Sequence, residues 1–180
     1  MGKRAAGEGT GYGETGRRGR RPLLYSPSPA VVEWGKTAGR NIAVLDFEKV
    51  VAYRNTYNRF ARKLGIVVES VTPGGARVVK TIEEDDLNPL GRAHGGVYFT
   101  MADSAAGSAM VAKGYAAVTV SSTYNFFRSA RVGDVVTAEA VEVKSGRTIC
   151  VYDVRVTDQS GTLLGTGTFT FYQLEEKIEF

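Results

Sequence analysis

The sequence predicts an α+β domain in which a curved antiparallel β-sheet wraps around one central α-helix. Three observations carry this reading. The stretch at about residues 95–113 is rich in alanine and good helix formers, strand-like runs lie on both sides of it, and glycine, proline and serine punctuate those runs as turns. At 180 residues the chain fits one domain with a normal core and leaves little room for a second.

Residues 1–45 read as a basic Gly/Arg-rich extension or a mis-assigned start, and residues 46–180 as the single domain. Residues 1–21 hold six Lys/Arg, two acids and seven glycines, so they carry the whole net charge of +4 and leave the remainder neutral. The charge therefore belongs to a segment with little apolar material to bury, not to a basic stripe on the fold, and nucleic-acid binding is disfavoured. Gly11-Tyr-Gly13-Glu-Thr-Gly16 has dinucleotide-fingerprint spacing. The residues before it lack strand character, so the glycines have no strand-to-helix turn to serve.

From Asp46 the pattern changes. Val50, Tyr53, Tyr57, Phe60 and Leu64 recur every three or four residues, as one helix face does, with Asp46 as its cap and Gly65 as its end. Ile66 to Val71 and Ala76 to Ile82 flank Pro73-Gly74-Gly75 and read as a hairpin. In the central helix Ala102, Ala105, Ala106, Ala109 and Met110 form a small-residue face that lets a sheet approach closely. Four strand runs follow: Ala117 to Phe127, Asp134 to Lys144, Thr148 to Thr157 and Leu163 to Tyr172. Ser145-Gly146 and Gln159-Ser160-Gly161 separate the last three. Cys150, Tyr152, Val154 and Val156 alternate with Val151, Asp153 and Arg155, which makes Cys150 a core thiol.

A lone cysteine excludes an intrachain disulfide framework and leaves no cluster for structural zinc, and it fits a reducing cytoplasm. No run reaches the roughly 20 apolar residues of a membrane-spanning helix, and the start lacks the apolar core of a secretory signal. The expectation is a cytoplasmic protein without metal, cofactor or membrane partner.

The chemistry concentrates in Asn88 to Asp103. The first NH groups of a helix lack intrahelical acceptors and carry the positive end of its dipole. Gly95 and Gly96 are thus placed to bind a carbonyl oxygen that becomes an oxyanion. Asp103 supplies a base or nucleophile in a helix otherwise built for burial. Eight helical residues separate it from Gly95, roughly 12 Å at about 1.5 Å per residue, too far for both to touch one carbonyl. If they cooperate, they come from two subunits with antiparallel central helices. The competing reading puts Asp103 on the solvated side of the helix, or satisfies it with the hydroxyl of Ser104 or Thr100.

Asn88, Gly91, His94-Gly95-Gly96 and Asp103 resemble the signature of hotdog-fold acyl-CoA thioesterases. The branch is the PaaI-like, phenylacetate-pathway one of the 4-hydroxybenzoyl-CoA thioesterase-type superfamily. The resemblance extends through Val118-Thr-Val-Ser121, Arg131-Val-Gly133-Asp134, Gly146-Arg147 and Ser160-Gly161, about residues 48–173. It implies a hotdog fold, an acyl-CoA substrate, and homodimers often paired into tetramers with active sites at the dimer interface. It also implies that Gly95 polarises the thioester carbonyl, that Asn88 and His94 shape the same half, and that Asp103 and Ser121 of the facing subunit activate or position water. Phe126, Phe127 and Arg128 would line the CoA path, with Arg131 and Arg147 as phosphate candidates. The chain departs from the family at Ser129-Ala130, where a proline is common.

Each residue has a plainer reading: His94 as a structural imidazole bonded to loop backbone, which is favoured over a general base, Ser121 as a strand hydroxyl in solvent, and Asn88 as a turn residue before Pro89. G-x-S-x-G is absent, which disfavours a serine hydrolase. Asp86-Leu-Asn88-Pro89 is similar to the Asp-x-Asn-Pro-x-His element of hotdog enoyl-CoA hydratases, but Gly91 stands where that histidine belongs. A non-enzymatic acyl-CoA sensor on the same fold has no need of a buried acid.

Overall fold

The computed structural model describes residues 46–180. The expected extension at residues 1–45, with its glycine fingerprint, lies outside the described residues.

Asp46 caps the first helix, accepting the backbone N–H groups of Glu48 and Lys49 at 3.2 and 3.4 Å. The single helix expected up to Gly65 is two: α1 (Phe47–Tyr57) and α2 (Arg59–Lys63). Asn58 makes the break. Its backbone leaves the helical region, and its side chain accepts from Ala61 N–H to cap α2. Tyr57 and Phe60, expected on the buried face, flank that break and are 66 and 62% exposed. Gly65 ends the segment at φ +67°, a conformation that suits glycine.

The remaining elements are β1 (Val67–Thr72), β2 (Gly75–Thr81), a 3-10 turn (Glu84–Asp86), α3 (Gly95–Val111), β3 (Tyr115–Phe126), β4 (Val135–Ser145), β5 (Ile149–Thr157) and β6 (Leu163–Lys177). The strands form one six-stranded sheet in the order β1-β2-β4-β5-β6-β3, with every pair antiparallel. β6 runs five residues beyond the expected Tyr172, because Tyr115 and Ala117 of β3 pair with Lys177 and Gln173. Among the described residues β3, twelve residues long, is bonded to β6 on one side and has no partner strand on the other.

The sheet curls round α3. From Met101 to Val111 every residue of that helix except Asp103 is buried. Opposite its alanines stand Val78, Val136, Ala138, Val154 and Phe169, all at 1% exposure or less. The alternation in β5 is as expected, with Cys150, Tyr152, Val154 and Val156 all facing inward. Small residues are the condition for the wrap. Ala105→Leu would force extra methylenes into a filled core, and an unfolding free energy lower by about 1–3 kcal/mol is the expected result in a denaturant titration.

Candidate active site

α3 begins at the glycine pair because His94 caps it. His94 Nδ1 accepts the N–H of Gly96 at 2.9 Å, and the His94 carbonyl accepts from Val97. A nitrogen that accepts carries no proton, so the imidazole is committed to the turn through Nδ1. The expectation of two free glycine N–H groups therefore holds only at Gly95, because Gly96 donates to His94. Gly95 N–H has no acceptor among the described residues and stands at the helix head, free to donate.

The loop before it is fixed from below. Asp86 forms a buried ion pair with Lys80 of β2 at 2.8 Å, accepts Glu83 N–H through the same carboxylate, and offers its carbonyl to His94 N–H at 2.8 Å. Asn88 Oδ1 accepts the N–H groups of Leu90 and Arg92, so the turn reading of Asn88 holds for its oxygen. Its amide nitrogen remains as a donor. Ala93 N–H bonds to the Ala130 carbonyl, and Ala130 N–H donates to the Tyr98 hydroxyl at 2.5 Å. Burial pushes the Tyr98 phenol above its ordinary value, so it stays neutral and serves as a structural acceptor.

Above this floor lies an open cleft of about 360 Å³ lined by Gly95, Tyr98, Phe126, Phe127, Arg128 and Ser129. Three of the expected substrate-binding residues, Phe126, Phe127 and Arg128, thus share one wall with Gly95. The Phe126 ring lies so near Gly95 that a Cβ there would sit 3.0 Å from it, so a side chain at this position would have to push the ring aside. Arg131 does not line the cleft; its N–H is held by Asp134 in the turn before β4. Arg147 sits in the exposed β4–β5 turn, beside the Lys113 end of α3 and not the Gly95 end.

Asp103 is half-buried, and its bonded partner is neither Ser104 nor Thr100. Thr119 of β3 donates its hydroxyl to Asp103 Oδ1 at 2.8 Å, while Thr100 bonds back to the Gly96 carbonyl. Ser121 lies elsewhere. The ladder shifts between Thr119, paired with the inward-facing Phe171, and Ser121, paired with Thr170. The bulge at Val120 turns Ser121 to the outer face and leaves Thr119 facing α3. Thr119 is the residue that sequence reasoning missed. It stood inside the quoted Val118 to Ser121 stretch, but strand alternation alone does not reveal a bulge.

A family model described as the thioesterase superfamily matches residues 90–164. Acyl-coenzyme A thioesterase PaaI of Escherichia coli is 36% identical over 99 residues, which are 55% of this chain and 71% of that protein. The solved structure of E. coli PaaI, a protein of the phenylacetic acid degradation operon, matches with a TM-score of 0.70 at 28% identity, over 73% of this chain and 96% of that one. A hypothetical thioesterase from Streptococcus pneumoniae, solved with coenzyme A, matches at 0.65 and 29%, over 69 and 98%. Two mutants under the same description match at 0.58 and 32%, over 60% of this chain and 88 and 89% of theirs. One replaces a threonine and the other an aspartate by alanine, at positions sixteen apart, the spacing of Thr119 and Asp103 here.

Sheet order, wrapped helix and these likenesses define a hotdog-fold thioester hydrolase. The chain belongs to the thioesterase superfamily, in its PaaI-like branch.

Proposed function

We propose that the protein hydrolyses acyl-CoA thioesters to free acid and CoA at sites shared by two chains. The observation that carries this reading is the division of the site along one helix. An open N–H at Gly95 heads α3, and the only residue of its buried length to reach the surface is Asp103, eight positions on, where Thr119 orients it. One chain cannot bring both to one carbonyl, whereas a two-fold dimer with antiparallel central helices opposes Gly95 of one chain to Asp103 of the other. The open edge of β3, with Val118 and Val120 half-exposed along it, is suited to continue the sheet into a second copy. Pairing of such dimers into tetramers is the arrangement that the resemblance implies.

In the reaction the thioester carbonyl oxygen accepts from Gly95 N–H, supported by the α3 dipole. The partner's carboxylate at position 103 either takes a proton from an attacking water or attacks the carbonyl itself. Both routes collapse a tetrahedral oxyanion with expulsion of CoA thiolate; attack by water gives the acid directly, whereas attack by the carboxylate leaves a mixed anhydride that a water then hydrolyses to free acid and the regenerated carboxylate, and no metal or cofactor takes part. Thr119 holds the carboxylate in place, and Asn88 Nδ2 shapes the Gly95 half. Phe126, Phe127 and Arg128 form the wall along which the pantetheine arm runs. The names of the E. coli relative and the coenzyme A in the S. pneumoniae structure support the choice of thioester.

Release of free thiol from phenylacetyl-, hydroxybenzoyl-, short- and long-chain acyl-CoAs tests the assignment. Turnover of at least one class is expected, and binding of acyl-CoA without turnover of any would support a sensor instead. Thr119→Val removes the hydroxyl donor at nearly constant shape. A kcat about tenfold lower in a protein of unchanged stability is expected, the scale of one charge-assisted hydrogen bond.

A further inference from the structure

The inner face of β6 carries no side chain at two successive inward positions. Gly165 and Gly167 are buried in line with Phe169 and Phe171, while Thr166, Thr168 and Thr170 between them are half-buried. Gly167 pairs with Tyr124 of β3 and Val154 of β5, and Gly165 pairs with Phe126 and Val156. The Tyr124 ring lies across both glycines. A Cβ on Gly165 would sit 2.8 Å from Tyr124 Cε1, and one on Gly167 would sit 2.7 Å from Tyr124 Cδ2, closer than a side chain tolerates. The carbonyl oxygens of Asn125 and Thr123 would be equally near, so β3 and β6 run close together beneath the ring. The glycines thus form a trough, and Tyr124 fills it. Its hydroxyl is buried and bonds to nothing among the described residues, so what Tyr124 contributes at this place is bulk.

The trough is joined to the cleft by a line of rings. Phe126, which stands against Gly95, has its ring centroid 4.6 Å from that of Tyr124. Tyr124 meets Phe99 of α3 edge-on at 6.1 Å, and Phe99 meets Phe169 at 5.5 Å. Phe126 and Phe99 are 55 and 38% exposed, Tyr124 is partly buried, and Phe169 is fully buried. The line therefore runs from the Gly95 donor into the core. Beyond Tyr124 the walls are Val154, Val156 and Phe169, whose side chains offer no hydrogen bond and suit alkyl or aryl groups.

We infer that Tyr124 is a specificity-determining residue that sets the size of the acyl group. With its carbonyl at Gly95 N–H, the acyl group runs along Phe126 and Phe99 and stops against the Tyr124 ring, which occupies the trough over Gly165 and Gly167. This rests on the thioesterase reading above and on Gly95 as the carbonyl donor. Removing the ring extends the acyl site by the space it fills, whereas removing the unpaired hydroxyl changes nothing in its shape.

The test is kcat/KM of the full-length wild type, Tyr124→Phe and Tyr124→Ala over a series of straight-chain and phenyl-terminated acyl-CoAs of increasing length, read as free thiol. The wild type should fall off beyond a certain length. Tyr124→Ala should regain the acyl groups just past that limit by at least about tenfold relative to the shortest one, the low end of what a methylene in a fitted pocket is worth to discrimination. Tyr124→Phe should keep the wild-type profile. Because each variant is compared with itself across lengths, a structural role alone would lower every rate and leave the profile in place, which overturns the proposal. A wild type indifferent to length overturns it too, and so does a shifted profile in Tyr124→Phe, which would give the hydroxyl the role assigned to the bulk. Should Tyr124→Ala not fold, Tyr124→Val, which keeps a strand-favouring side chain, is read in the same way. If the wild type releases thiol from no acyl-CoA, the thioesterase reading falls and this inference with it. If it turns over and the truncated variant keeps its profile, only this inference falls.

Discussion

Asp103→Asn is expected to lower kcat at least about a hundredfold, the usual scale for losing a positioned acid-base group. The exchange is gentle on structure, since the amide oxygen of asparagine can still accept from Thr119 Oγ1 and the side chain keeps its volume. Position 103 interrupts the burial of α3 from Met101 to Val111, so the core loses nothing. What disappears is the negative charge and the ability to take a proton or attack a carbonyl. Steady-state release of CoA thiol gives the rate, and sedimentation or light scattering gives the oligomer. A folded oligomer with unchanged turnover contradicts the role of Asp103.

Asp86→Ala should have the largest effect on stability. Lys80 and Asp86 have side chains 3 and 6% exposed, and removing one member leaves the other charge buried alone. Breaking such a pair costs about 3–5 kcal/mol. Glu83 N–H loses its acceptor as well. A urea or guanidinium titration should show the midpoint falling at constant slope. Replacing both residues, Lys80→Met with Asp86→Leu, should recover part of the loss, because an apolar pair strands no charge. The single variant should also slow turnover, since the 3-10 turn that holds Asp86 presents its carbonyl to His94 N–H and so places the helix head. A single variant as stable as the wild type would remove the ion pair from the list of things that hold the site loop.

Composition and period made the central helix, the strand order in sequence and the core thiol legible, because burial in a sheet and in a wrapped helix leaves regular marks. Cys150, Tyr152, Val154 and Val156 alternate as they must, and the alanines of α3 are small because the sheet is close. The misses share a cause: each is a local break that keeps the surrounding period. Asn58 suits a helix surface and a helix cap equally, so the pattern from Val50 to Leu64 runs through it unmarked. Val120 is a strand residue like its neighbours, and only the ladder shift reveals that it puts Thr119 and Ser121 on opposite faces. The two glycines at 95 and 96 look equivalent in sequence. His94 folds back on one of them and leaves the other as the donor. Arg54 reads as a polar residue on a helix surface, and only the packing of α1 on α3 brings it to Ser108.

The central claim is that one site takes Gly95 from one chain and Asp103 from the other. It is tested most directly by mixing two inactive variants, Asp103→Asn and Gly95→Val, under conditions where subunits exchange. Random pairing makes half of the dimers mixed, and each mixed dimer holds one site with both native residues. The shared-site account therefore predicts a return to about a quarter of the wild-type rate. If both residues acted within one chain, no dimer would hold a complete site, and a mixture as inactive as its components would contradict the account.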